Sequence, residues 1–226
     1  MSKIIDLTVP LGSDVSLVPG HPPVEYEMIH THEKHHRTNA TLSFSIHVGT
    51  HIDPPYHFVP DGWTIDEVPL ERLMGTAYLL RLKGRLEPGE PITIKHFEEM
   101  GLTQEKLKDN FVIFYTGWSE KNFGKDDYYR KGHYISTDLA KWLVNAGIKA
   151  VALDHPPDSP EANDSFDGTE APVHRTLLGN NVCIIENITN LSSITQNIVN
   201  FYAIPIKIQR GCGGPARVFV TEVENL

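Results

Sequence analysis

Residues 47–57 read His-Val-Gly-Thr-His-Ile-Asp-Pro-Pro-Tyr-His, which places three imidazoles and a carboxylate within one short stretch. The glycine, the β-branched residues and the double proline all argue against a helix here. The histidines and the aspartate occupy odd-numbered positions, and side chains two residues apart share one face of a strand. His47, His51 and Asp53 are therefore expected to point in the same direction.

The spacing of these residues also predicts a bend. A straight strand would separate the Cα atoms of His47 and His51 by ~13 Å, which two imidazoles would barely span to reach one ion. Gly49 lies between them and can bend a strand through a bulge or a close approach of the backbone. The sequence thus predicts a metal site on a bent strand end.

The donor atoms of this stretch indicate the chemistry of the site. Ligands from His47, His51 and Asp53 leave a coordination position open, as in catalytic metal sites. Nitrogen and oxygen ligands without thiolate suit Zn²⁺ or Mn²⁺, with Fe²⁺ as an alternative. Such an ion lowers the pKa of a bound water from about 15.7 to about 7. His57 is the candidate for a proton shuttle, because an imidazole titrates in the required range.

The competing interpretation is that these are ordinary polar residues on a solvated strand, and three histidines on one parity with an aspartate disfavour it. The other histidines give weaker signals. The segment from His30 to His36 is typical of a solvated loop and His96 of a helix surface, whereas His21 is typical of a turn, with the mouth of a site as the alternative. Asp154 and His155 follow a buried strand, where either a site or a loop-anchoring aspartate is expected. Cys212 lies in a glycine-rich turn and is expected to be a small, buried packing residue, with a nucleophile as the less favoured alternative.

Bulk composition excludes several classes of protein. A formal charge of −9 without a run of Lys or Arg argues against nucleic-acid binding. No apolar segment approaches the ~20 residues that a membrane span needs, so no membrane partner is expected. The first residues lack the pattern of a signal peptide, and only two cysteines are present. A reduced, cytoplasmic protein is expected.

Hydrophobic patterning predicts one α/β domain over residues 1–226, with a mixed, barrel-like sheet, flanking helices and no regular βαβ rhythm. Two or three helices are expected, with caps at Thr93 and at Ser136 or Thr137 and glycines that end them. The predicted strands are 3–9, 24–31, 41–46, 75–82, 111–116, 148–153, 181–186, 201–208 and 216–223.

The pattern His47-x-Gly49-Thr50-His51-x-Asp53-x-Pro55-x-His57 resembles the signature of the cyclase family of metal-dependent hydrolases, which includes bacterial kynurenine formamidases and isatin hydrolases. The resemblance extends over essentially the whole chain, through residues 5–8, 115–118 and 213–217. It implies a swivelling β/β/α fold and hydrolysis of a non-peptide amide or a cyclic amide such as isatin. It also implies a small-molecule substrate and a homodimer or homotetramer.

The resemblance implies roles for particular residues. His47, His51 and Asp53 would be metal ligands and His57 the general acid/base, with zinc or manganese as one or two ions per chain. In the formamidase branch the aspartate bridges to a second ion, held by a histidine and a glutamate twelve residues apart. His174 and Glu186 have that separation, although the residues by themselves leave His155 and His174 as alternatives.

Other functions fit parts of the pattern. His51, Asp53 and His174 imitate the facial triad of a non-haem iron oxygenase, and a non-catalytic metal-binding protein would use the same ligands for stability. Within the enzyme class, a lactone hydrolase or a cyclase is the alternative. Thr50 stands where the formamidases have alanine, which favours a broader amide hydrolase. Aromatic residues near the site, at positions 56, 58 and 63, are compatible with a flat substrate.

Overall fold

The computed structural model describes residues 3–12, 14–164 and 171–222. Within these ranges the chain forms twelve strands and seven α-helices. The strands are β1 Lys3–Asp6, β2 Glu25–His30, β3 Asn39–Ser43, β4 His51–Asp53, β5 Met74–Arg81, β6 Pro91–Ile92, β7 Phe111–Tyr115, β8 Tyr134–Ile135, β9 Ala150–Leu153, β10 Cys183–Glu186, β11 Ile198–Pro205 and β12 Gly214–Glu222. The helices are α1 His32–His35, α2 Ile94–Glu99, α3 Gln104–Leu107, α4 Trp118–Asn122, α5 Thr137–Ala146, α6 Pro160–Asp164 and α7 Pro172–Leu178.

The main sheet closes into a barrel. Its eight strands follow the order β1-β12-β11-β5-β7-β9-β10-β4, and a further pairing of β12 with β4 joins the two ends. Seven strands thus form the closed ring, and β1 pairs with β12 from outside it. The closing contact is short, with Gly214 opposite Ile52 and Pro215 opposite His51. This confirms the predicted α/β class with a mixed, barrel-like sheet and flanking helices.

One part of the predicted organisation is wrong. Strands β5, β7, β9 and β10 are consecutive and parallel in the barrel, so residues 74–186 do follow a βαβ rhythm. Most of the connecting helices have only four to seven residues. The 3.6-residue period needs a longer window to stand out, so the sequence revealed only the ten-residue α5 and, through its cap at Thr93, α2.

The barrel strands are apolar on both faces because each face packs against a different part of the core. Ile113, Ala152 and Ile185 belong to the cluster inside the barrel. Their neighbours Val112 and Phe114 belong to a second cluster that includes side chains of α2, α5 and α7. A strand covered on both faces reads as a continuous apolar run, and for this reason the runs at 111–116, 148–153 and 181–186 were recognisable as strands.

The predicted helix boundaries follow local chemistry. The Ser136 hydroxyl accepts a hydrogen bond from the Leu139 amide at the start of α5, and Gly147 ends that helix with a φ of +70°. Thr93 and His96 form reciprocal cap contacts at the start of α2, so His96 is a half-buried capping residue and not the surface residue predicted. The longest helix among the described residues, α5, has ten residues, and none of the described helices could span a bilayer.

Strands β2 and β3 form a separate two-stranded hairpin that α1 completes at its tip. Tyr26 faces Leu42 and Met28 faces Ala40 across this hairpin. Because directly opposite residues share a face, one side of the hairpin is apolar. Tyr26, Met28 and Leu42 are nevertheless exposed by 66%, 42% and 45%.

Candidate metal centre

The bend predicted in the metal stretch is present, but the strand is shorter than expected. Only His51–Asp53 is extended, residues 47–50 form a turn, and Pro55–His57 is a single 3-10 turn. Gly49 makes the bend with a φ of +62°, in the left-handed region that glycine adopts without steric cost. The parity argument therefore holds for His51 and Asp53, whereas His47 reaches the site through the turn.

A second glycine allows His47 to take its place. The imidazole of His47 packs directly against Gly213, where an added Cβ would lie 2.6 Å from Cε1 of the ring. Gly213 precedes β12, which pairs with β4 to close the barrel. The glycine-rich turn before β12 thus forms one wall of the site.

Asp53 lies at the centre of the donor atoms and is only 1% exposed. Its Oδ1 lies 2.7 Å from Nδ1 of His47 and 3.3 Å from Nε2 of His51. Its Oδ2 lies 3.6 Å from Nε2 of His174, which in turn lies 3.1 Å from Oε1 of Glu186. One carboxylate oxygen therefore faces His47 and His51, and the other faces His174. A carboxylate that bridged two metal ions would need this arrangement.

The elements of the barrel bring these donors together. Glu186 ends β10 directly opposite His51 of β4, and His174 lies on α7, which packs against β10. The sequence did not predict α7, because a helix of only seven residues gives little periodic signal. His174, and not His155, reaches the site.

Two imidazoles each form a hydrogen bond through Nδ1, on the side away from the site. These contacts orient Nε2 of each ring towards the carboxylates of the site. Nδ1 of His51 lies 2.9 Å from the Gly49 carbonyl and can only donate to it, which leaves Nε2 facing Asp53. Nδ1 of His174 lies 2.5 Å from Oδ2 of Asp158. Metal-bound histidines commonly donate their second ring N–H to a carbonyl or a carboxylate in this way.

The charges of the site fit a divalent cation. Asp53 and Glu186 are buried carboxylates, and the described residues that line the cavity include no Lys or Arg. Oδ2 of Asp53 is buried and accepts no hydrogen bond, and leaving such an atom unpaired is costly. Two groups of donors lie close enough to share an ion, His47 with Asp53 and His57, and Asp53 with His51 and Glu186.

Without an ion, protonated imidazoles supply the compensating charge. Burial lowers the pKa of His47, but the Asp53 carboxylate outweighs it and raises the pKa to about 10. Burial likewise opposes the raised pKa of His174, whose hydrogen bond to Asp158 favours the charged form. Burial would raise the pKa of Asp53, but the charges of His51 and His47 hold it well below its ordinary value. A bound cation would replace these protons.

His57 has a different environment from the other imidazoles. Its ring stacks on His47 with centroids 3.9 Å apart, and burial lowers its pKa to about 3. It is therefore a neutral imidazole at physiological pH, as a general base must be. It also belongs to one of the two possible ligand groups, so its geometry suits either role.

The site opens into a cavity of about 120 Å³. Its walls include Phe58, next to the motif, and side chains from distant parts of the chain, namely Val18, His21, Tyr129, Pro156 and Pro157. His21 is thus a wall residue, held by a contact of 3.1 Å between Nδ1 and the Ser45 hydroxyl. Of the aromatic residues near the motif, Phe58 lines the cavity, whereas Trp63 packs against the barrel interior.

Other residues singled out in the sequence lie elsewhere. Asp154 anchors a loop by accepting hydrogen bonds from Thr116 and from the Gly117 amide. The segment from His30 to His36 belongs to the hairpin and its tip. Cys212 is only half-buried, and its Sγ lies 3.5 Å from Nε2 of His47, so it is not the buried packing residue that was expected.

Sequence reasoning missed Asp158 and Asn187. Asp158 accepts hydrogen bonds from the amides of Val173 and His174, fifteen and sixteen residues away, so no local spacing reveals it. Residues 165–170, which follow α6, lie outside the part of the chain that the structure describes. Asn187 directly follows Glu186, and this adjacency was the available signal.

Comparison with known proteins places the chain in a family. The model of the Cyclase family matches residues 5–157. The kynurenine formamidase of Bacillus anthracis is 25% identical over 230 residues, which cover 98% of this chain and 99% of that protein. The kynurenine formamidase of Bacillus mycoides is 25% identical over 224 residues, with the same coverage.

Solved structures show the same fold. An isatin hydrolase bound to the product analogue thioisatinate superposes with a TM-score of 0.85 at 20% identity, over 98% of this chain and 92% of that one. Isatin hydrolase A from Labrenzia aggregata, bound to benzyl benzoate, gives a TM-score of 0.85 at 22% identity, over 99% and 94%. The family match spans well over half of the sequence, so the resemblance is confirmed: the chain belongs to the Cyclase family.

Proposed function

We propose that this protein is a metal-dependent hydrolase that cleaves a non-peptide amide, either an aryl formamide or a cyclic amide such as isatin. The observation that carries the proposal is the position of Asp53, whose two oxygens face different sets of donors beside the neutral imidazole of His57. The names of its relatives, kynurenine formamidases by sequence and isatin hydrolases by fold, support the same class of reaction.

His47, His51, Asp53, His174 and Glu186 would hold the metal, which we propose to be zinc, with manganese as the alternative, as one or two ions per chain. When bound, the metal would supply Lewis-acid polarisation of the scissile carbonyl and a lowered pKa for water.

The chain's own residues do the rest. His57 can take a proton from the attacking water onto a ring nitrogen and return it to the leaving nitrogen of the substrate. Apolar walls from Val18, Phe58 and Pro157 suit the flat, apolar part of an aryl amide. The hydrogen bonds at Nδ1 of His51 and of His174 keep both rings oriented. They would thereby fix the position of the metal and of the substrate carbonyl that it polarises.

The rival functions use fewer of these residues. In an iron oxygenase built on His51, Asp53 and His174, neither His47 nor Glu186 would have a role, although both lie within the donor cluster. A purely structural metal site gives no reason for a neutral imidazole beside an open cavity.

The test is hydrolysis by the purified protein of N-formyl arylamines, isatin and cyclic imides, with a panel of lactones in parallel. Amide turnover that chelation abolishes and zinc or manganese restores would support the proposal. Turnover of lactones alone would contradict it, as would oxygen consumption that depends on iron. Chelation that lowers the melting temperature without any detectable turnover would favour a non-catalytic metal site.

We also propose that the chain is a homodimer or homotetramer in the cytoplasm. The uncovered apolar face of the β2–β3 hairpin supports association with a second copy, because an isolated two-stranded hairpin is at best marginally stable in water. Cys183 and Cys212 are free thiols, as is usual in a reducing compartment.

A further inference from the structure

Asn187 is fully buried immediately beyond Glu186, and every hydrogen-bonding group of its side chain is engaged. Its Nδ2 donates to the Gly49 carbonyl at 2.8 Å and to the Tyr129 hydroxyl at 3.2 Å. Its Oδ1 accepts from the Tyr128 hydroxyl at 2.8 Å. Burial raises the pKa of Tyr128 well above its ordinary value, so that hydroxyl remains a donor.

The Gly49 carbonyl is shared with a proposed metal ligand. It accepts one hydrogen bond from Asn187 and another, of 2.9 Å, from Nδ1 of His51. A carbonyl oxygen has two lone pairs, and these two donors use both. Rotation of this peptide would therefore break the hydrogen bond that keeps the His51 proton on Nδ1.

We propose that Asn187 is a positioning residue, which orients the Gly49 carbonyl and through it fixes the tautomer and direction of the His51 ring. Since the inference concerns how His51 is presented to a metal, it rests on the proposed function. The backbone of Asn187 assists, because its carbonyl accepts the Thr50 hydroxyl at 2.7 Å. The bend at residues 49–50 is thus held on both sides by one residue, which also adjoins Glu186.

The structure explains why this residue is an asparagine. Its φ of +58° lies in the left-handed region, which asparagine tolerates better than most residues. Only an amide of this length both donates to Gly49 and accepts from Tyr128. An aspartate would keep the acceptor, lose both donors and place a second carboxylate beside Glu186.

The experiment is a zinc titration of the wild type, Asn187→Asp, His51→Ala and the double variant, in competition with a chromophoric chelator. Removal of an outer-shell partner typically lowers metal affinity 10–100-fold, and Asn187→Asp is expected to fall in that range. If the residue acts through His51, the losses in Asn187→Asp and His51→Ala will not add in the double variant. A merely structural role would make them add, which would overturn the inference.

A measurement on the wild type keeps the inference testable should Asn187→Asp fail to fold. In ¹⁵N-histidine spectra of the metal-free protein, His51 is expected to carry its proton on Nδ1 whenever its ring is neutral. A neutral ring protonated at Nε2 would contradict the inference. Wild-type protein that binds neither zinc nor manganese would instead contradict the proposed function, so the two failures are distinguishable.

Discussion

Nδ1 of His174 lies 2.5 Å from Oδ2 of Asp158, and the opposite nitrogen, Nε2, lies 3.1 Å from Oε1 of Glu186. The imidazole is thus held between two carboxylates, one behind it and one within the site. If His174 bound a metal through Nε2, a carboxylate in the position of Asp158 would fix the ring and increase its basicity. Asp158 therefore belongs to the site, although it lines no part of the cavity.

Asp158→Asn is expected to weaken zinc binding about 10–100-fold, because the amide keeps the shape of the carboxylate but loses its charge. Equilibrium competition with a chelator measures the change. Asp138→Asn, in the exposed first turn of α5, is the matched control and should bind zinc as the wild type does. Equal affinity in the two variants would show that Asp158 only caps α7.

His51→Ala should weaken metal binding, so that the purified protein loses its metal on dialysis although added zinc still titrates the site, because it removes a proposed ligand from the most buried part of the site. Elemental analysis after dialysis against a weak chelator gives the content. The control is His32→Ala, at the exposed tip of the hairpin. Metal loss in both variants would instead place binding in the histidine-rich segment.

His57→Ala distinguishes the two roles open to that residue. If His57 moves protons, kcat should fall about 10²–10⁴-fold while the metal content stays unchanged. Steady-state kinetics and elemental analysis of the same preparation measure the two quantities. Loss of metal together with activity would make His57 a ligand.

Glu222 gives a prediction for acid stability. Burial raises its pKa, but hydrogen bonds from the amides of Gln196 and Thr195 and from the Thr195 hydroxyl outweigh this and lower it below 4.5. The stabilisation is thus complete above the ordinary glutamate pKa and is lost as pH falls through the lower, folded-state value. Glu222→Gln should cost about 2 kcal/mol of unfolding free energy at pH 7 and progressively less below pH 4.5. Urea denaturation at several pH values measures this, with Glu98→Gln on α2 as the exposed control.

Tyr26→Ser combined with Leu42→Ser should dissociate the proposed oligomer, because it makes the apolar face of the hairpin polar. Light scattering coupled to size exclusion measures the mass of each species. Ile198→Ser removes an apolar side chain of similar exposure from β11 and should leave the mass unchanged. A monomeric wild type would contradict the oligomer itself.

Much of the fold was predictable because its signals are local. The caps at Ser136 and Thr93, and the apolar runs of β7, β9 and β10, are each contained within a few residues. The other short helices gave no periodic signal, since four to seven residues do not complete two turns, and α2, with six residues, was predictable only from its cap. Strand β11 begins earlier than expected, at Ile198, because its pairing with β5 and β12 and not its hydrophobic pattern sets its bounds.

The residues of the candidate site likewise fall into those that a local sequence pattern predicts and those that it does not. His47, His51, Asp53 and His57 lie within eleven residues of sequence, so their spacing predicted that they would meet. Asp158 and Asn187 reach the site only through barrel closure and the docking of α7. Cys212 approaches His47 across 165 residues of chain, and no local pattern records such a contact.

Strand β4 has only three residues, yet β10 pairs with one of its edges and β12 with the other. The barrel therefore closes at β4, and the three residues of this strand include His51 and Asp53. A metal ion bound by β4 together with Glu186 and His174 would therefore stabilise the closed barrel as well as activate water. In the metal-free protein, amide hydrogen exchange should accelerate in β4 before it does in any other strand. Loss of the metal and opening of the barrel are therefore expected to be coupled.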